Sequence, residues 1–210
     1  MARTFSSVKV LPQVKRVNTK KRRKVGILGG TFNPIHNGHL IIAEQVLDRL
    51  GLDEVRFMPD ANPPHVDRKF AIDARHRVTM IAGSIRDNPH FFIEMEEIIR
   101  GGISYTVDTM EKLTKQHPEN DYYFIIGGDM VAYLPKWHDI DKLINLVHFV
   151  GVRRTGFPQT SNYPIIWVDV PYIQISSSNI RQRIHQRHAI KYLVPDFVEK
   201  YIKENHLYEN

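Results

Sequence analysis

Residues 29–40 read Gly-Gly-Thr-Phe-Asn-Pro-Ile-His-Asn-Gly-His-Leu, and the chain is organised around them. They follow Val25-Gly26-Ile27-Leu28, an apolar run that reads as the end of a buried parallel strand. They lead into Leu40-Ile41-Ile42-Ala43-Glu44-Gln45-Val46-Leu47, whose apolar spacing suits a helix packed on a sheet. A strand, a glycine turn and a helix N-terminus together make an anion site, because unpaired N–H groups point outward and the helix dipole favours negative charge. Gly29 and Gly30 carry no Cβ to keep a phosphate off the backbone. His36 and His39 flank Gly38, so two imidazoles can face the same anion at the helix start.

The turn is neither of the two common phosphate loops. Gly-x-Gly-x-x-Gly is absent, and no Gly-x-x-x-x-Gly-Lys-[Ser/Thr] occurs. A triphosphate bound here must therefore meet His and Arg in place of a P-loop Lys. Hydrolase signatures are missing too, with no Gly-x-Ser-x-Gly and no His-Glu-x-x-His.

The length of 210 residues suits one sizeable α/β domain. No apolar run reaches the ~18 residues needed to span a bilayer, so a membrane partner is not expected. The chain has no cysteine, which excludes disulfides, thiolate zinc sites and Cys nucleophiles and suits the cytoplasm. The net charge of +6 is unevenly spread. Residues 1–24 hold nine of the 29 basic side chains and no acidic one, leaving the remainder at −3. That distribution argues against a nucleic-acid surface on the body of the protein. Residues 1–23 read as a solvated basic N-terminal extension, and 24–210 as the domain that carries the glycine turn.

Along that domain, Glu54–Pro59 reads as a second strand leading into the Pro-rich stretch Asp60–His65, a candidate ligand wall. Asp73 is expected to cap a helix through Arg86, with Val78, Ile81, Ala82 and Ile85 on its buried face. Phe91–Met95 reads as a third strand, and Ser104 as the start of the next helix. Tyr122–Ile126 is the most strand-like run and ends in Gly127-Gly128-Asp129. Asp129 reads equally well as a ligand-edge carboxylate or as the cap of a helix at 130–134. Trp137, in the connection that follows, is either core or a stacking surface for a planar ligand. Strands at 146–152 and 165–168 follow, with a polar loop between them. Ser176-Ser177-Ser178 precedes a helix carrying Arg181, which suits either an N-cap or a phosphate chain. A closing amphipathic helix spans Pro195–Asn205. Alternating strands and helices predict an α/β fold with a doubly wound parallel sheet.

Residues 29–39 resemble the signature of the adenylyl- and cytidylyltransferase superfamily with its His-x-Gly-His element. Several blocks then match, in order, the bacterial nicotinate-nucleotide adenylyltransferases: Gly29–Pro34, Pro63-Pro64-His65, Ser104–Thr109, Gly127–Asp129, Leu134–His138, Ile175–Arg181 and Tyr192–Pro195. The resemblance runs from about Lys24 to Tyr208 and implies a Rossmann-like nucleotidyltransferase fold in a single domain. It implies transfer of AMP from ATP to nicotinate mononucleotide, giving deamido-NAD and pyrophosphate in NAD biosynthesis. Attack would be in line and direct, with charge stabilised by His36, His39 and Arg181 as the catalytic set. ATP would meet Gly29, Gly30, Thr31, Phe32, His36, His39, Gly127, Asp129, Ile175, Ser176, Ser177 and Arg181. The mononucleotide would meet Thr106, Trp137, His138, His65 and Arg153. No protein metal site is implied, since Mg²⁺ would come mainly on the ATP phosphates; a homodimer is left open.

Three positions depart from the family pattern. Asn33 stands where many relatives carry Asp, and Asn equally suits an Asx turn. Ser178 replaces a usual Thr and keeps the hydroxyl. Val66 stands where Lys or Arg is common, and Arg68 or Lys69 in the same loop would take over its phosphate contact. The nearest rivals are pantetheine-phosphate adenylyltransferase and an enzyme preferring nicotinamide mononucleotide. The 104–109 and Trp137-His138 blocks speak against the first.

Overall fold

The computed structural model describes residues 21–62, 71–153, 160–171 and 173–209. Its frame is a six-stranded sheet in the order β3-β2-β1-β4-β5-β6, parallel throughout. The strands are β1 (Arg23–Gly30), β2 (Glu54–Pro59), β3 (Phe91–Ile93), β4 (Asn120–Gly127), β5 (His148–Arg153) and β6 (Ile165–Asp169). Among the described residues eight helices connect or follow them: α1 (Asn37–Leu50), α2 (Ala74–Ile85), α3 (Glu96–Arg100), α4 (Thr106–Gln116), α5 (Gly128–Val131), α6 (Ile140–Leu143), α7 (Ser177–His185) and α8 (Asp196–Glu204). A 3₁₀ turn at Leu134–Lys136 lies between α5 and α6. The doubly wound α/β architecture expected from the sequence is the one observed. Among the described residues no helix is long and apolar enough to cross a membrane.

The alternation of side chains along the central strands divides the interior into two cores. Val25 and Ile27 of β1, with Tyr122, Phe124 and Ile126 of β4, pack beneath α4 and α6. Leu28, Ile125, Val55 and Phe57 face the other way, toward α1, α2, α7 and α8. A sheet covered on both faces gives the near-continuous apolar runs seen in β1 and β4. On the second face α2 and α8 approach closely at Gly83, where a Cβ would fall 2.1 Å from the Phe197 ring.

Three local expectations are corrected. Asp73 does cap α2, accepting from the Arg75 N–H at 2.8 Å, but the buried face is Arg77, Met80, Ile81 and Ile85, with Ala82 exposed and Val78 half-buried. The face is therefore turned to bring an arginine inside. The third strand stops at Ile93, because the chain turns into α3 at Glu96. Ser104 does not start the next helix: α4 begins at Thr106, and the Ser104 hydroxyl instead accepts the Ala61 N–H at 2.9 Å.

What this frame positions is the carboxyl edge between β1 and β4. From β1 the chain winds outward through β2 to β3, then crosses back to β4 and winds the other way. Ligands of open α/β sheets bind in the crevice at this reversal point. Here it is bordered by Gly29-Gly30 and by Gly127.

Candidate active site

The crevice opens into two neighbouring cavities that share a wall of His39, Ile42 and Val152, with His39 its polar member. The larger, about 350 Å³, is bounded by the ends of β1, β2 and β4, the start of α4 and the turn holding Trp137 and His138. The smaller, about 240 Å³, lies between the start of α1, the end of β5 and the start of α7.

The two histidines are set by the helix start itself. His36 occupies the N-cap position with extended backbone, and its N–H donates to His39 Nδ1 at 3.2 Å. The two rings stack with centroids 3.6 Å apart, and Phe32 meets His39 edge-on at 5.0 Å. With Nδ1 accepting, a neutral His39 carries its proton on Nε2, as a hydrogen-bond donor. The glycine between them has a steric reason: a Cβ on Gly38 would sit 3.1 Å from His36 Nδ1.

Distant groups hold the loop from behind. Buried Arg77 donates to the carbonyls of Thr31 at 2.8 Å, Asp60 at 2.9 Å and Ile72 at 3.2 Å. Thr31 Oγ1 donates to Asp60 Oδ2 at 2.8 Å. The Ser177 hydroxyl donates to the Pro34 carbonyl at 2.9 Å, and Arg181 donates to the Asn33 carbonyl at 2.7 Å. The Asn37 N–H and side-chain amide reach the carbonyls of Leu193 and Tyr192. Segments far apart in sequence thus converge on one turn.

The expected site residues fall into four groups. Gly29, Gly30, Thr31, His39, Gly127, Asp129, Thr106, Trp137 and His138 line the larger cavity. His36, His39, Ile175, Ser176 and Ser177 line the smaller, and Arg153 joins them there, apart from Thr106, Trp137 and His138 with which the resemblance groups it, its guanidinium paired with Asp169 at 3.0 Å. Phe32 and Arg181 line neither: the Phe32 ring is buried in the core, and Arg181 spans the Asn33 carbonyl and Ser178 Oγ. His65 and Val66, with Arg68 and Lys69, lie outside the described residues.

All three ambiguities in the sequence are answered by particular contacts. Ser176 is the N-cap of α7, its side chain accepting from the Asn179 N–H at 3.2 Å. Asp129 does not cap its helix, since Gly127 holds that position and Asp129 sits in the first turn on the cavity wall. Trp137 combines both readings, lining the cavity while its ring meets Phe124 and Phe149 edge-on at 5.9 and 6.0 Å.

Three contributors went unseen in the sequence. Tyr105 stacks obliquely on His138 with centroids 4.3 Å apart, adding to the aromatic wall. Glu97 brings a carboxylate to the same cavity, with Thr109 Oγ1 donating to it at 3.2 Å. Burial raises the Glu97 pKa, against hydrogen bonds from Ser104 and Thr109. Asp60, on the neighbouring wall, is likewise raised by burial, against the Thr31 hydrogen bond and the Arg77 charge. Arg77 is the third, and burial lowers its pKa against the pull of Asp60. Only Arg77 left a trace in the sequence, as a charge at helical spacing from Met80, Ile81 and Ile85.

The cytidylyltransferase-like family model matches residues 27–183. A Lactiplantibacillus plantarum protein described as "probable nicotinate-nucleotide adenylyltransferase" is 59% identical over 204 residues, covering 97% of this chain and 96% of the relative. The chain belongs to the nicotinate-nucleotide adenylyltransferase family. A Bacillus pumilus relative with the same description is 52% identical across 90% of this chain and its own full length. Among solved structures, a Plasmodium falciparum nicotinic acid mononucleotide adenylyltransferase complexed with NaAD superposes with a TM-score of 0.76 at 19% identity, covering 89% of this chain and 98% of that one. This last likeness concerns the fold. The family model spans both the His36–His39 pair and Arg181, so the two ends of the braced loop fall inside it.

Proposed function

We infer that this chain transfers AMP from ATP to nicotinate mononucleotide, releasing deamido-NAD and pyrophosphate. The observation that carries the mechanism is His39 standing between two cavities. A transferring phosphorus must be reached by one substrate and left by part of the other, and a shared wall is where both meet. In our reading the mononucleotide occupies the larger cavity. Its pyridine lies by Trp137 and His138, and its carboxylate meets Thr106 and the N–H groups at the start of α4, where the helix dipole favours negative charge. ATP extends its phosphates past His36 and His39 to Ser176, Ser177 and Arg153. The adenylyl ribose reaches back past His39 to the larger cavity, where one of its hydroxyls donates to the Asp129 carboxylate.

The mononucleotide phosphate attacks the α-phosphorus as the pyrophosphate leaves on the opposite side. Little covalent chemistry falls to the protein, whose work is positioning and stabilisation of developing charge. His39, held by the His36 N–H, presents Nε2–H to the oxygens of the transferring group. Arg181 keeps the loop in place from behind. Mg²⁺ fits this arrangement as a partner of the triphosphate: His, Ser and Arg on the phosphate side are poor ligands for a hard cation that prefers oxygen. It would neutralise phosphate charge when bound.

Pyrophosphate release from ATP and Mg²⁺ tests the reading, with nicotinate mononucleotide, nicotinamide mononucleotide and phosphopantetheine as alternative acceptors. Strong preference for the nicotinate form is expected. Preference for nicotinamide mononucleotide would overturn the assignment around Thr106. Release with phosphopantetheine alone would overturn the substrate class.

A further inference from the structure

Tyr208 lies beyond α8 and far from the turn in sequence, yet its hydroxyl donates to Asn33 Oδ1 at 2.8 Å. The ring packs on the core that also holds Phe32, Ile35 and Val46. Its backbone φ is 66°, in the left-handed region that a bulky side chain rarely occupies. Such a conformation persists where surrounding contacts over-determine it. Asn33 is itself 4% exposed, and its backbone carbonyl is the acceptor for Arg181. One buried residue therefore carries both the phenol and the guanidinium. Burial pushes the Tyr208 pKa up, against the charges of Arg181 and Arg77. The hydroxyl keeps its proton and donates it to the Asn33 Oδ1 that faces it.

We propose that Tyr208 is a positioning residue for adenylyl transfer: through Asn33 it fixes the turn that presents His36 and His39 and keeps Arg181 seated on that turn. The inference rests on the functional reading above. The ring alone could serve packing. The hydroxyl does something a ring cannot, which is to fix the rotation of a buried side-chain amide on a residue whose backbone carbonyl is already committed to Arg181. A small displacement at the reacting centre is enough to slow transfer, because the gain from holding groups in place is lost steeply with misplacement.

Three variants in the full chain separate the two roles. Y208F keeps the ring and loses only the O–H, N33A removes the acceptor, and N33D keeps it. Expected for Y208F is a fall in kcat of about tenfold with both KM values within about twofold, since the loss is in the transition state. N33A should lose a similar factor, N33D should restore most of it, and the N33A/Y208F double variant should be no slower than the slower single variant, as for two ends of one bond. Melting curves keep packing separate. Should Y208F unfold early, the N33A and N33D pair assayed well below their melting points decides the matter. A Y208F rate within twofold of wild type, or losses that multiply in the double variant, would overturn the positioning role. A wild-type protein that releases no pyrophosphate with nicotinate mononucleotide would overturn the functional reading instead.

Discussion

Behind Gly29–His39, three side chains from α2 and α7 grip three carbonyls of the loop: Arg77 holds Thr31, Arg181 holds Asn33 and Ser177 holds Pro34. Across the crevice the wall is built otherwise. Trp137 leans on Phe124 and Phe149, His138 on Tyr105, and the Trp137 Nε1 is buried with no hydrogen-bond partner among the described residues. One side is fixed by polar bonds to the backbone, the other by the packing of rings. The difference matches what each side meets. Charge developing on a phosphate is stabilised best by donors that need not reorganise, whereas a planar ring is recognised by shape and apolar area.

Removing the central buried donor should break the braced side. Arg77→Met leaves the Thr31, Asp60 and Ile72 carbonyls without their partner and the Asp60 carboxylate without its nearest cation. Breaking such a buried set costs about 3–5 kcal/mol, and the denaturant midpoint should drop accordingly. A midpoint close to wild type would mean that the loop holds its shape without the arginine.

On the packed side, effects should appear in recognition. Trp137→Ala should raise KM for nicotinate mononucleotide roughly tenfold, about 1.4 kcal/mol of binding, with KM for ATP nearly unchanged. A selective loss of ATP affinity would reverse the assignment of the two cavities.

The smallest effect concerns Glu97. Its pKa is raised above the ordinary 4.5, chiefly by burial. A carboxyl whose folded pKa is raised favours the fold most below its unfolded value, and that contribution is lost as pH rises through the folded pKa. Glu97→Gln keeps the oxygen that accepts from Thr109 and removes the buried charge. The variant should therefore melt higher than wild type at neutral and alkaline pH. The gap should close as pH falls into the ordinary carboxylate range. An equal gap at every pH would show that charge is not the cause.

The same contrast explains what could be read from the sequence. The braced side lies largely in one contiguous block, and strand, glycine turn and His-x-Gly-His each have a local signature. The central strands were equally legible, because burial on both faces leaves uninterrupted apolar runs such as Tyr122–Ile126. The packed wall is assembled from short pieces without a period of their own. Helix α3 has five residues, too few for a helical pattern to show. Ser104 has the chemistry of a cap, but its hydroxyl is taken by a backbone N–H from the loop after β2, a tertiary partner no local rule supplies. Arg77 breaks the apolar stripe of its helix to donate to carbonyls that lie outside it. Arg153, at the end of β5, and Arg181, in the middle of α7, are both basic, yet one faces a cavity and the other the back of the loop. Only the spatial path of the chain separates them.

The most direct test is the steady-state rate of pyrophosphate release by His39→Ala, with ATP, Mg²⁺ and nicotinate mononucleotide all saturating. If His39 stabilises the transferring phosphate from between the two cavities, kcat should fall by about 10²–10³ while both KM values and the melting temperature stay close to wild type. A kcat within a few-fold of wild type would contradict that role and leave the His-x-Gly-His element as a structural turn.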